Sequence, residues 1–268
     1  MKFRKSILIV IAALLVLTGC SQKSSKKAAQ LNLTASQVVK KAPTNLGPGL
    51  ITHRIKLASP DGTQLLLASA NFGGKPAVAH SSAGFKNASQ NQGVEMWLGN
   101  DTAYLHGKAS WYTIAPGKVI ATPLASYFTA MRSNDIAKGL TAAQIKKAQV
   151  KNTAKTATIS YQATDPALAR SAFEGAIASY PLADNQQKYF NMFLPRAKYD
   201  RVTVREEINK QSGRVLHLTI KVHASVDNKL QMNLTQTYKG KPQQKMLTIP
   251  QEVTSTAKPM PKNPQDRK

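Results

Sequence analysis

The sequence predicts an α+β fold, one antiparallel β-sheet with helices gathered on one side of it. Three observations carry this. Residues 93–115 read as a three-strand meander, cut by turn signals at Gly99-Asn100 and Gly107-Lys108. The apolar period then lengthens from two to about 3.6. The last third returns to a period of two, with no strict βαβ alternation.

If each meander turn is a two-residue loop, Met96 pairs with Ala103 and Val94 with Leu105. Ala103 then pairs with Tyr112 and Tyr104 with Trp111. One face carries Val94, Met96, Leu98, Ala103, Leu105, Tyr112 and Ile114, with Asp101 and Ser110 as its polar members. The other carries Glu95, Trp97, Thr102, Tyr104, Trp111 and Thr113. A sheet with one mostly apolar face needs a cover.

From the start of the chain, Lys2, Arg4 and Lys5 precede an unbroken apolar run over residues 7–17. That run is too short to cross a bilayer, which takes about twenty residues, and reads as an export signal over residues 1–19. Leu17-Thr18-Gly19-Cys20 resembles the lipobox of bacterial lipoproteins. The resemblance implies that Cys20 becomes the lipidated mature N-terminus, anchoring the chain to the extracytoplasmic face of the cell membrane. Cys20 is the sole cysteine, so no intrachain disulfide can form.

Residues 20–30 form a polar tether, and residues 31–253 are read as one domain. Thr34-Ala35-Ser36-Gln37 is a capping box opening a short helix. Ile51, Ile55 and Leu57 alternate with Thr52, Arg54 and Lys56, with His53 on the apolar side. Asp61-Gly62 turns into a return strand over 64–72. Residues 75–81 read as a further strand and 85–92 as a polar loop.

After the meander, Thr122-Pro123 marks a helix start, with Leu124, Tyr127, Phe128 and Met131 on one stripe. Thr141-Ala142-Ala143-Gln144 is a second capping box. Ala157, Ile159 and Tyr161 alternate as a strand. Asp165-Pro166 opens a helix bearing Leu168, Ala172, Phe173, Ala176 and Ile177, and Asp184 opens another that ends at Pro195. Val202 and Val204 begin the final β region. Leu216, Leu218, Ile220 and Val222 form the cleanest strand, and Asp227-Asn228 turns it into Leu230, Met232 and Leu234. A last strand is expected over 246–249, and a disordered basic tail over 254–268.

With the apolar faces turned one way, about eight strands can curl around a groove closed by the helices. The helices can fill that groove or leave a cavity. Ala125, Ala130, Ala169, Ala172, Gly175 and Ala176 are small and fill a wide sheet poorly. Met96, Met131 and Met232 are side chains that adapt to variable contents. The candidate lining is Ile55, Val94, Met96, Leu105, Tyr112, Phe128, Met131, Phe173, Leu218, Ile220 and Met232.

The lipobox, tether and early capped helix come with the pattern Met96-Trp97, Tyr104-Leu105, Trp111-Tyr112 and a late Leu247-Thr248-Ile249-Pro250-Gln251-Glu252-Val253. Together these resemble the LolA/LppX-like superfamily, in particular its lipoproteins of Gram-positive bacteria. The resemblance implies a half-barrel, a curved antiparallel sheet with a helical lid on the concave face. It also implies a lipid or other amphiphile as ligand.

The formal charge of +24 favours anionic neighbours outside the cell, lipid headgroups or wall polymers, unless it serves only solubility. Export and the lack of a nucleic-acid motif argue against nucleic acid. Catalysis finds little support. Glu206 and Glu207 point to opposite faces of a strand, and His217 and His223 lie roughly 20 Å apart at strand rise, too far for one metal. His53, His80 and His106 have no ligand-spaced partners, so neither metal nor cofactor is expected. Trp97, Tyr104 and Trp111 form either a stacking platform or ordinary cross-strand packing under a loop. A monomeric, non-enzymatic binding protein is the expectation. Its alternative is a surface protein that binds anionic polymer or membrane headgroups through its charge.

Overall fold

Among the described residues, twelve strands make one sheet. In chain order they are β1 (Gly49–Ser59), β2 (Gly62–Gly73), β3 (Val78–Lys86), β4 (Asn91–Leu98), β5 (Ala103–His106), β6 (Trp111–Ile114), β7 (Gln149–Asn152), β8 (Thr156–Thr164), β9 (Lys198–Asn209), β10 (Val215–Val226), β11 (Leu230–Gly240) and β12 (Lys258–Pro259). Across the sheet the order is β12-β6-β5-β4-β3-β2-β1-β11-β10-β9-β8-β7. Every pairing is antiparallel except β12 with β6. The computed structural model describes residues 31–74, 78–86, 91–99, 102–107, 109–114, 129–179, 184–241 and 247–260. All but Leu31 belong to one compact unit, Asn32–Lys268.

Two sequential meanders, β1 to β6 and β7 to β11, are joined where β1 pairs with β11 along ten residues. Thr52 and Thr237 link their hydroxyls across this seam at 2.6 Å. The helices are α1 (Ala35–Lys41), α2 (Asp135–Lys138), α3 (Ala142–Lys147), α4 (Pro166–Ala178), α5 (Asp184–Phe193) and α6 (Gln251–Thr256), with a helical turn over 129–132. Both expected capping boxes form, Thr34 with Gln37 on α1 and Thr141 with Gln144 on α3. Asp165 caps α4 by accepting from Leu168 N. Gln144 also donates to Asp165 at 2.5 Å, tying the start of α3 to that of α4.

The core lies between one sheet face and α1, α2, α4 and α5. Ile51, Ile55 and Leu57 of β1, Leu218, Ile220 and Val222 of β10, and Met232 and Leu234 of β11 meet Ala169, Ala172, Phe173 and Phe190 there. Alternation sets this, because every second residue of a half-buried strand faces the same way. Asp227 and Asn228 both take positive φ (50° and 56°), the backbone of a tight hairpin turn, between β10 and β11.

Five expectations are corrected. The sheet has twelve strands where about eight were expected. Each meander hairpin turns one residue later than the glycines suggest: Gly99 N donates to Thr102 O and Gly107 N to Ser110 O. Met96 therefore pairs with Leu105, Trp97 with Tyr104, and Leu105 with Tyr112. Moving a turn centre by one residue shifts the register by two, so the two faces keep their members.

Residues 85–92 are not simply a polar loop, since β3 runs to Lys86 and β4 starts at Asn91. The described part of 246–249 is not a strand; Leu247 and Ile249 pack instead on Trp97. Residues 254–260, expected in a disordered tail, continue α6 and form β12 against the β6 edge. The expected helix start at 122–128 lies outside the described residues, as do Cys20 and its lipobox and the remainder of the tail, 261–268.

Candidate functional site

Asp165 and Pro166 start α4, which packs over β9 and β10. Phe173 and Ile177 of α4 are buried in the core, and beside them the helix carries small side chains. Ala172, Gly175 and Ala176 stand over Leu218 and Ile220 where leucines would reach the strands. The space left is a cavity of about 130 Å³. Leu218, Ile220 and Gln236 form its floor, Ala130, Ser133, Asn134, Asp135 and Ile136 one wall, and α4 with Ser179 the other. Ser171 and Gly175 border it and are exposed, so it opens to solvent along α4. A Cβ added at Gly175 would meet nothing within 4 Å.

Beneath this cavity the sheet's apolar face carries polar groups. Asn134 is buried and donates from Nδ2 to Glu206 Oε1 at 2.6 Å and to Pro43 O at 3.1 Å. Among the described residues, Asn134 Oδ1 and Glu206 Oε2 are buried with no hydrogen-bond partner. Burial raises the Glu206 carboxyl to about 7, against smaller opposing effects of the Asn134 hydrogen bond and the Lys138 ammonium. Gln236 pairs in register with His53, itself buried. Burial lowers the His53 imidazole to about 3, with Gln236 offsetting this in part.

The described candidate lining residues lie on this side of the sheet or in its cover, in three settings. Leu218 and Ile220 line the cavity. Ile55, Met96, Met131, Phe173 and Met232 are buried in the continuous core and do not border it. Val94, Leu105 and Tyr112 are half-buried toward the β4–β6 end of the same face. Phe128 lies outside the described residues. Asn134, Ser133 and Gln236 went unread in the sequence, where a lone asparagine between helices and a glutamine in a strand carry no signal of convergence.

On the opposite face, Trp97, Tyr104 and Trp111 are covered by Leu247, Ile249 and Val253. The stripe is therefore packed under the C-terminal segment, the second of its two readings. Beside it, Glu95 bridges two histidines: Oε1 lies 2.8 Å from His80 Nε2 and Oε2 lies 3.5 Å from His106 Nδ1. His80 stacks on Trp97 with centroids 4.4 Å apart, and His106 lies 4.7 Å from Trp111. Sequence spacing concealed this cluster because its members sit on three different strands. Among the described residues no group of three or more histidine, cysteine or carboxylate side chains is placed to hold a metal ion. Glu206 and Glu207 do take opposite faces, one buried and one half-exposed.

No protein-family model and no curated protein matches the chain. Solved structures do. LprF from Mycobacterium bovis is 14% identical over 81% of this chain and 96% of that one, with a TM-score of 0.36. A LolA superfamily protein from Nitrosomonas europaea is 10% identical over 83% of this chain and 97% of that one, with a TM-score of 0.25. A Vibrio parahaemolyticus domain titled an outer membrane lipoprotein-sorting protein is 10% identical over 76% and 88%, with a TM-score of 0.23. The likeness to these structures is one of fold alone, and superpositions this loose equate no residue of this chain with one of theirs.

Proposed function

We propose that the protein is a membrane-anchored, extracytoplasmic binding protein, not an enzyme, that holds a lipid or other amphiphile between its sheet and its helices. The observation that carries this is the open-mouthed cavity under α4, with an apolar floor at Leu218 and Ile220 and small residues above them. Its 130 Å³ is close to the roughly 150 Å³ of an engineered apolar cavity that admits benzene. It therefore takes a small group, or the end of a chain, that is apolar against Leu218 and Ile220 and polar toward Ser133, Asn134 and Gln236, and a longer tail requires the helices to part further. Asn134 Oδ1, buried without a partner, would accept a hydrogen bond from a ligand hydroxyl or amine. The lipobox-like run ending at Cys20 supports anchoring and an extracytoplasmic location.

The test is to purify the full chain from its membranes and analyse the organic extract by mass spectrometry. A narrow set of amphiphiles, near one per protein and beyond the anchor's own acyl chains, is expected. Bulk membrane lipids in their membrane proportions would contradict the proposal. Anchoring is tested separately: Cys20→Ala is expected to move the processed chain into the soluble fraction.

A further inference from the structure

The outer face of the sheet differs in kind from the face that carries the core. Strand alternation turns Arg54 and Lys56 of β1, Lys86 of β3, Arg201 and Arg205 of β9 and Lys221 of β10 outward, and all six are exposed. Their places follow from the register. Thr235 alone separates Arg54 from Lys221, and Asn233 and His223 lie between Lys56 and Arg201. Leu65 lies between Lys56 and Lys86. At sheet spacings of about 4.8 Å between strands and about 7 Å between alternate residues, neighbouring cations stand roughly 7–15 Å apart.

Among the described residues, none of the six has a carboxylate within 4.0 Å. Asp200, on the same stretch of β9, is taken by His223 at 2.8 Å. Between the cations lie the half-buried hydroxyls of Thr203, Thr219, Thr235 and Thr237. Like charges gathered this closely repel one another, and no described carboxylate pairs them. Three of the six are arginines, whose fork matches phosphate oxygens, and the threonines offer further donors. The exposed large apolar residues of the described chain are Leu31, Met192 and Met260, and none lies on this face, so it has nothing to insert into a bilayer.

We propose that this outer face binds a linear phosphodiester polymer laid across the sheet from β9 through β10, β11, β1 and β2 to β3, on the side of the sheet away from the cavity. The inference is independent of the ligand under α4.

The test measures binding of the full chain to poly(glycerol phosphate) of defined length across a salt series. The logarithm of affinity should fall linearly with the logarithm of salt, with a slope of about −4 for six contacts at about 0.7 each. Arg54→Gln with Lys221→Gln should lower the slope by about 1.4. Lys40→Gln with Lys146→Gln removes the same charge from the exposed last turns of α1 and α3, on the side of the sheet that carries the core, and should leave slope and affinity unchanged within twofold. Equal losses in the two double variants would overturn the proposal in favour of a diffuse field. So would a dependence on the six cations seen with phosphatidylglycerol vesicles but not with the polymer. Thermal melts of each variant, expected to match the parent, separate lost binding from lost fold.

Discussion

Glu206 and His53 show how two buried groups on one sheet face act against each other. The Glu206 carboxyl rises from an ordinary 4.5 to about 7, so the folded state holds its proton more tightly than the unfolded chain. That contribution to stability is full below pH 4.5 and is lost as pH climbs through 7. The His53 imidazole falls from 6.5 to about 3, so its contribution is full above pH 6.5 and is lost as pH drops toward 3. Between pH 4.5 and 6.5 the two slopes cancel, which predicts a plateau. In Glu206→Gln the rising-pH loss disappears and the acid limb starts near pH 6.5 rather than near 4.5. Urea unfolding from pH 3 to 8 reads this directly, and superimposable curves for parent and variant would refute the assignment. Strand alternation gives each group its face in the sequence but names no partner for either. Glu206 alternates correctly for an inward residue, but the Asn134 that meets it is 72 residues away.

Single elements were legible where the signal is local. The capping boxes at Thr34 and Thr141, the Asp165 cap and the Asp227-Asn228 turn each depend on residues within four of one another, and each forms as read. The small residues of α4 and the apolar alternation of β10 were legible too, and these build the cavity's roof and floor. Signals failed where two long-range partners decide the outcome. Polar Asn, Ser and Gln residues around β3 and β4 suggest a loop by composition, yet neighbouring strands pair them. Leu247 and Ile249 alternate as a strand would, and only the Trp97 stripe explains why they pack as a strap with Val253 instead.

That strap has a clean spectroscopic report, because the chain's two tryptophans, Trp97 and Trp111, both lie beneath it. Val253 is 1% exposed, so Val253→Asp buries an unpaired charge unless the strap lifts. Tryptophan emission should shift to the red and the melting temperature drop, with far-ultraviolet circular dichroism preserved. Unchanged emission would show that the strap does not shield the stripe.

At the scale of the molecule, the sheet is two meanders sewn together along β1 and β11, strands about 180 residues apart in the chain. Pattern reading finds each meander, but nothing local specifies the seam, so the sequence points to the class of the fold and not to its order of strands. Its open edges are both dressed. β12 lies on β6, and the Asn152 side chain at the other edge takes Leu33 N and O at 3.0 Å each. A twelve-strand sheet so finished has one face under helices and the other displaying cations, which suits two kinds of partner on two sides.

The hydrophobic-ligand account stands on the mouth of the cavity at Gly175. Gly175→Ala should fold and carry as much extractable amphiphile as the parent, since its Cβ meets no neighbour. Gly175→Leu places a branched side chain across the opening. The most direct measurement is the amphiphile recovered per protein from Gly175→Leu, with its melting temperature taken alongside. The account predicts at least a fivefold loss of bound amphiphile at an unchanged melting temperature; an undiminished load in a well-folded Gly175→Leu protein would contradict it.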